Sequence, residues 1–389
     1  MTPAARYAAA IELLDAILDG EAAERALTRW GRENRYAGSG DRAAIRDHVF
    51  DALRCRRSLA ALGGGETGRA LVLGLLRGAG IDPSTIFTGE RHAPAPLTQV
   101  EAGYVPPAEL PPDLPDWLVE RFEAALGPDA TAAIAALRHR APVHLRVNIA
   151  RIERADAALK LAREGVETLP HPLARTALVV VGPARGLRDT AAFREGLVEL
   201  QDASSQMAVL ALPLTDGDRV LDFCAGGGGK ALAIGARARI DLVAHDADPG
   251  RMADLRPRAA RAGLAIQAVA PAALARLGAF DLVFVDAPCS GSGTWRRTPE
   301  AKSRLTPENL AALTRSQDHV LAEAARFVRP TGRLAYATCS VLIEENEERI
   351  AAFLATSSGW TKEVALRLSP GELHDGFYLQ VLLRDVHQP

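Results

Sequence analysis

From Arg219 onward, short apolar runs alternate with helical stretches, and this constrains the fold more than any other feature of the chain. Arg219-Val-Leu-Asp-Phe-Cys224 reads as a buried strand, followed by Ala225, the four glycines Gly226 to Gly229, Lys230 and a helical stretch. Asp241 to Asp246 reads as a second strand, Arg251 to Ala262 as a helix, and Phe280 to Asp286 as another strand. Thr306 to Val328 is helical, with Leu310, Leu313, Val320, Leu321, Ala324 and Phe327 on one face; Pro330-Thr-Gly332 stops it before the strand Arg333 to Ala337. Such alternation predicts an α/β fold with a doubly wound parallel sheet, whose ligands lie at the carboxyl ends of the strands.

The preceding residues read differently. Tyr7, Ile11, Leu14 and Ile17 recur at helical spacing, and Asp41 is placed to cap a helix carrying Ile45, Val49 and Leu53. Residues 1–125 are therefore expected to form a helical domain, ending in a Pro-rich linker from Pro94 to Pro115. Residues 126–205 mix strand-like His144 to Asn148 and Thr176 to Val181 with helices, which suggests a small α+β module. Residues 206–389 hold the doubly wound domain. A length of 389 residues accommodates three such units.

Composition sets limits on partners. No apolar run reaches the length of about 18 residues that a membrane helix needs, and the first residues do not resemble a signal peptide. Four cysteines without a CxxC pair argue against a disulfide scaffold or a structural zinc site, so a cytoplasmic, metal-free protein is the expectation; a monomer is expected separately. A net charge of −2 neither demands nor forbids RNA, because local patches decide. Arg42, Arg46, Arg296 and Arg297 are the candidate phosphate contacts. Only Lys160, Lys230, Lys302 and Lys362 are lysines among 46 basic residues, which singles out Lys230 inside a glycine loop.

The chemistry lies at the strand ends. A strand ending in Asp222, a glycine turn, a helix, and Asp246 about 20 residues further on form the nucleotide-binding arrangement, with Asp246 placed for a ribose. This pattern does not separate a dinucleotide from S-adenosylmethionine. Cys55 and Cys224, taken singly, read as small core residues. Cys289, within Asp286-Ala-Pro-Cys-Ser-Gly291, and Cys339, within Thr338-Cys-Ser340, both follow apolar strands and reach the ligand edge together. A thiolate that adds to C6 of cytosine puts electron density on C5, which can then accept a methyl group, while a nearby carboxyl steadies the ring. Spacing alone does not choose which cysteine attacks. The base must be single-stranded or extruded to be reached.

These motifs resemble the Nol/Nop/Sun-type RNA cytosine-C5 methyltransferases, closest to the bacterial 16S rRNA methyltransferase B group. The similarity is carried by Asp222 to Lys230, Asp286 to Gly291, Arg296-Arg297-Thr-Pro-Glu300, Tyr336 to Asn346 and Asp375-Gly-Phe-Tyr378. Upstream, Leu145-Arg-Val-Asn148 and Gly196 to Gln206 are similar to its middle, RRM-like module, and Arg6-Tyr7 to Arg54 to its NusB-related helical domain. The resemblance implies S-adenosylmethionine held by Asp222, Cys224, Ala225, Gly226, Gly227, Gly228, Gly229, Lys230, Asp246 and Asp286. It implies Cys339 as nucleophile, Cys289 for proton removal and release, Asp286 against cytosine, and small-subunit rRNA as partner. The chain departs from the family twice: Gly226-Gly-Gly-Gly-Lys230 lacks the usual proline, and Ile266 to Pro271 lacks the acid expected near the adenine. A non-catalytic rRNA-binding or assembly factor with a decayed cofactor site, or a DNA cytosine-C5 methyltransferase, are the alternatives.

Overall fold

The computed structural model describes residues 1–184 and 186–385, and they cluster into two compact units. One comprises Met1–Glu123, Thr131–Arg140 and Trp295–Arg304; the other comprises Ala124–Ala130, Ala141–Thr294 and Leu305–Pro389.

The first unit is helical. Helices Pro3–Leu18, Ala23–Glu33, Ser39–Arg54, Arg56–Gly63 and Gly68–Gly78 enclose a core around Leu13, Leu14, Ile45, Val49 and Leu71. Threonines start two of them, Thr2 accepting from Ala5 N–H and Thr67 from Ala70 N–H, as short polar caps do. Asp41 is not the cap expected of it. The helix begins two residues earlier, and the Asp41 carboxylate reaches back to Gly38 N–H at 3.3 Å from its first turn. Gly127, where φ is 53°, separates helix Asp116–Leu126 from helix Ala130–Ala136.

The second unit holds two sheets. Strands β1 (His144–Val147), β2 (Thr168–Pro170), β3 (Ala177–Val180) and β4 (Val198–Leu200) pair antiparallel in the order β2-β3-β1-β4. With helices Arg154–Arg163 and Ala191–Arg194 between them, this is the ferredoxin-like βαββαβ path. The large sheet contains β5 (Arg219–Asp222), β6 (Asp241–His245), β7 (Gln267–Val269), β8 (Phe280–Asp286), β9 (Val328–Thr338), β10 (Trp360–Leu368) and β11 (Phe377–Arg384). Its order is β10-β11-β9-β8-β5-β6-β7. The five strands from β9 to β7 are parallel, as the alternation predicts, while β11 and β10 extend the edge antiparallel. Apolar clusters cover both faces, one around Val220, Leu242 and Phe284, the other around Leu221, Val283 and Leu334. That double covering explains why β5 and β8 read as unbroken apolar runs. Among the described residues, no single helix is long and apolar enough to cross a membrane.

Candidate active site

Parallel pairing sets the carboxyl ends of neighbouring strands side by side. Asp222 ends β5, Asp286 ends β8, Asp246 follows β6 and Cys339 follows β9, so four chemically useful side chains reach one edge of the sheet. In the sheet β5 lies between β8, reached later in the chain, and β6, reached next. This is the switch point where doubly wound folds hold ligands.

The glycine turn is built for close approach. Gly226 and Gly228 adopt φ of 48° and 79°, conformations that cost side-chain-bearing residues strain. A Cβ on Gly228 would lie 2.2 Å from Leu255 Cδ1. Asp246, 2% exposed, accepts from Gly226 N–H at 2.9 Å and from Asp248 N–H at 3.0 Å, fastening β6 to the turn. The exposed Arg251 adds an ion pair with Asp246 at 3.3 Å. The small module supplies the other clamp: Arg146 of β1 donates to Gly229 O at 2.6 Å and Gln201 Oε1 at 2.7 Å, while Gln201 Nε2 also reaches Gly229 O. Arg258 donates to Gly227 O. Neither Arg146, Gln201 nor Arg258 was singled out from sequence, because each acts across a long separation; the Leu145-Arg-Val-Asn148 motif was the available signal.

Asp222 is the unusual group. Its side chain is buried, and neither carboxylate oxygen has a well-aligned protein donor, the Cys224 backbone N–H being the one that approaches it. Burial and the nearby Asp286 push its carboxyl up to about 7. Such a poorly satisfied buried acid beside a glycine cradle fits a cationic ligand. Burial likewise raises the Cys224 thiol above the usual range. At the end of β7, Val269 is followed by Ala270 and Pro271, and no carboxylate stands there.

Lys230 Nζ pairs with Asp286 Oδ2 at 2.6 Å and lies 5.4 Å from the centre of the Phe377 ring. Burial works against its charge, yet the Asp286 pairing raises Lys230 above the usual lysine range. Cys289 Sγ and Cys339 Sγ are 3.4 Å apart. The hydrogen bond from Cys289 holds Cys339 below the usual thiol range against burial and Asp286, with Lys230 and Thr294 helping. Cys289 is raised in turn by that hydrogen bond, by burial and by the negative groups around it. Of the two thiols, Cys339 is therefore the one that gives up its proton more readily, and a thiolate is the form that attacks.

A hydroxyl network stitches the two cysteine loops together. Ser292 Oγ and Ser340 Oγ are 2.8 Å apart, and Ser292 accepts from Val341 N–H at 2.9 Å. Thr338 donates to Asn346 Oδ1 at 2.6 Å, and Asn346 donates to Ser340 O at 2.9 Å. Gly293 N–H donates to Cys339 O, and Gly376 N–H to Gly293 O, each at 2.9 Å. A Cβ on Gly293 would meet Gly376 Cα at 2.7 Å, which accounts for a glycine in Asp375-Gly-Phe-Tyr378.

The candidate phosphate contacts do not all face solvent. Arg42 and Arg297 are exposed. Arg46 is exposed but engages Glu24. Arg296 is only 1% exposed, which corrects its expected place on the RNA-facing surface. Its backbone carbonyl accepts from Arg54 Nε at 2.7 Å, and Lys302 Nζ donates to Arg54 O at 2.8 Å, so Trp295–Arg304 is built into the helical unit.

Comparison with known proteins places these features in context. Residues 209–380 match the family described as 16S rRNA methyltransferase RsmB/F, and residues 114–185 match the RsmF/B-like ferredoxin-like domain. The ribosomal RNA small subunit methyltransferase B of Vibrio cholerae serotype O1 is 32% identical over 281 residues, covering 69% of this chain and 64% of that protein. Its namesake in Xanthomonas campestris pv. campestris is 32% identical over 297 residues, covering 69% of this chain and 66% of that protein. The matched region thus spans just under two thirds of these relatives. Among solved structures, PH0851 superposes with a TM-score of 0.75 at 23% identity, over 98% of this chain and 99% of that one. NSun6 from Pyrococcus horikoshii gives 0.60 at 19% identity, over 70% of this chain and 99% of that one. At those identities the likeness is one of fold.

Proposed function

The chain belongs to the 16S rRNA methyltransferase RsmB/F family, and from that premise we propose that it forms 5-methylcytosine in 16S rRNA using S-adenosylmethionine. The observation that carries the proposal is the pair of thiols 3.4 Å apart at the sheet edge, beside the Lys230–Asp286 ion pair.

The turn Ala225 to Lys230, with Asp222 and Asp246, would hold the cofactor, and the buried, poorly satisfied carboxylate of Asp222 is the feature that best fits its positive charge. Bound there, the cofactor supplies an electrophilic methyl carbon. Cys339 Sγ forms a bond to C6 of an extruded cytosine, and the pyrimidine double bond shifts its electrons to C5. C5 takes the methyl group. A base must then remove the C5 proton before the C6–S bond breaks and Cys339 leaves as thiolate. Cys289, adjacent to Cys339, is placed to serve that departure: once its own proton has passed to solvent its sulfur takes the C5 proton, and the freed C–H electrons restore the C5–C6 double bond as Cys339 leaves. Asp286 contacts the N3 and amine edge of the base, and Lys230 holds that carboxylate in place.

Arg42, Arg46 and Arg297, all exposed to solvent, are the proposed phosphate contacts, and we propose that the chain acts as a cytoplasmic monomer on its rRNA. The clamped glycine turn weighs against a decayed cofactor site, and the relatives named as ribosomal RNA methyltransferases weigh against DNA. Mapping 5-methylcytosine across 16S rRNA from cells with and without the gene tests the proposal. One cytosine that loses its methyl group on deletion is expected; an unchanged map contradicts it.

A further inference from the structure

Covalent catalysis by two adjacent thiols needs them to differ, because one must be deprotonated while the other keeps its proton. Cys289 and Cys339 start from similar positions, each just beyond the carboxyl end of a parallel strand and each followed by serine. What stands behind each is different.

Behind Cys289 stands Glu345, which is fully buried. Its Oε1 accepts from Ser290 N–H at 2.8 Å, and its Oε2 accepts from the Ser290 hydroxyl. Gln317 Nε2 donates to Glu345 Oε1 at 3.0 Å and to Pro288 O at 2.8 Å. The chain is therefore gripped on both sides of Cys289. All the groups bonded to Glu345 are donors, the pattern that a carboxylate requires. Behind Cys339 stand Lys230 and Thr294, the latter 4.0 Å from Sγ. The other titratable groups facing the pair are Asp286 from the end of β8 and Tyr336 from β9, whose hydroxyl donates to Glu345 O at 2.7 Å. Arg349, further behind, is engaged by Asp318 at 2.6 Å.

We propose that Glu345 is a positioning residue that fixes Cys289 as the proton-carrying thiol, by gripping its loop against Cys339 and by placing a buried negative charge on its side of the pair. Lys230 acts oppositely on Cys339. The two charges polarise a symmetric-looking dithiol, and the attacking sulfur is the one on which the Lys230 charge acts. Its catalytic meaning rests on the methyltransferase function proposed above, but the placement of the proton is a property of the protein alone.

Alkylation of each thiol by iodoacetamide, followed peptide by peptide in a mass spectrometer from neutral to alkaline pH, reads that placement without RNA or cofactor. In the native full-length protein Cys339 is expected to react at lower pH than Cys289. Glu345→Gln should bring the Cys289 midpoint down by about one pH unit, so that its thiolate fraction at neutral pH rises roughly tenfold. Ser290→Ala keeps the carboxylate but removes the hydroxyl tether, and should shift Cys289 the same way by less; it stands alone if Glu345→Gln does not fold. Unchanged midpoints in the folded variants overturn the proposal. So does a uniform rise in reactivity of both thiols at every pH, which is what mere loosening would give. Shifted midpoints in a protein that leaves 16S rRNA unmethylated would sustain the role of Glu345 and reject the methyltransferase function.

Discussion

Asp246 and Asp248 divide their work cleanly although only two residues apart. Asp246 faces the glycine turn, whereas Asp248 accepts from Gly250 N–H at 2.9 Å and caps the next short helix. Asp246→Ala should weaken S-adenosylmethionine binding by about 1.5–3 kcal/mol in calorimetry, the range for hydrogen bonds to a charged group. Asp248→Ala should leave the affinity nearly unchanged. Asp222 makes a prediction of opposite kind. Its carboxyl titrates at about 7 in the fold, against about 3.9 in an unfolded chain. The folded state therefore holds the extra proton between those values, and stability falls as pH rises through that window. Asp222→Asn should flatten this fall, which urea midpoints at about pH 5 and about pH 8 would register; an equal slope in both proteins would remove Asp222 as its cause. The presence of these carboxylates at strand ends was legible in the sequence. The lack of a well-aligned protein donor for Asp222 was not, because it depends on what the neighbouring strands leave uncovered. Arg296 shows the same limit, since an arginine beside a motif looks like a phosphate contact until its burial is known.

Among the elements, the glycine turn and the segment Trp295–Arg304 carry the clearest consequences. Four successive glycines announced a turn, and two of them need positive φ. Gly228→Ala is expected to cost about 1–3 kcal/mol of stability through left-handed strain and the clash with Leu255, read by denaturant midpoint, and to weaken cofactor binding with it. The motifs Leu145-Arg-Val-Asn148 and Gly196 to Gln206 contain Arg146 and Gln201, but their role as clamps is not legible there, because the small sheet delivers them from a distant part of the sequence. Arg296 and Arg297 read as phosphate contacts from the sequence, yet in the same segment Trp295 stacks near Phe122 with centroids 5.9 Å apart, and Lys302 is 4% exposed. Burial pulls Lys302 down to about 8. Between that value and the ordinary lysine range the unfolded chain binds more protons, so stability should rise with pH across this interval. Lys302→Met should abolish the rise; its persistence in thermal melts would contradict the buried position. Replacing Arg297 should flatten the salt dependence of RNA binding, while replacing Arg296 should lower stability instead.

For the whole molecule, the alternation from Arg219 gave the parallel core, and the motif spacing gave the edge where the chemistry gathers. The antiparallel strands β10 and β11 were less legible, because an edge pair adds to a sheet without altering the alternation that announces it. The grouping of residues 295–304 with the helical unit was invisible for a related reason: contacts separated by more than 200 residues leave no local periodicity. The reaction proposed for the whole molecule depends on two thiols with different tasks, and trapping tests that most directly. Each cysteine variant is incubated with substrate rRNA and S-adenosylmethionine and resolved on a denaturing gel. The account predicts that Cys289→Ala accumulates a covalent protein–RNA species, that Cys339→Ala forms none and transfers no methyl group, and that the double variant also forms none. A trapped species from Cys339→Ala, with none from Cys289→Ala, would contradict it and exchange the roles of the two sulfurs.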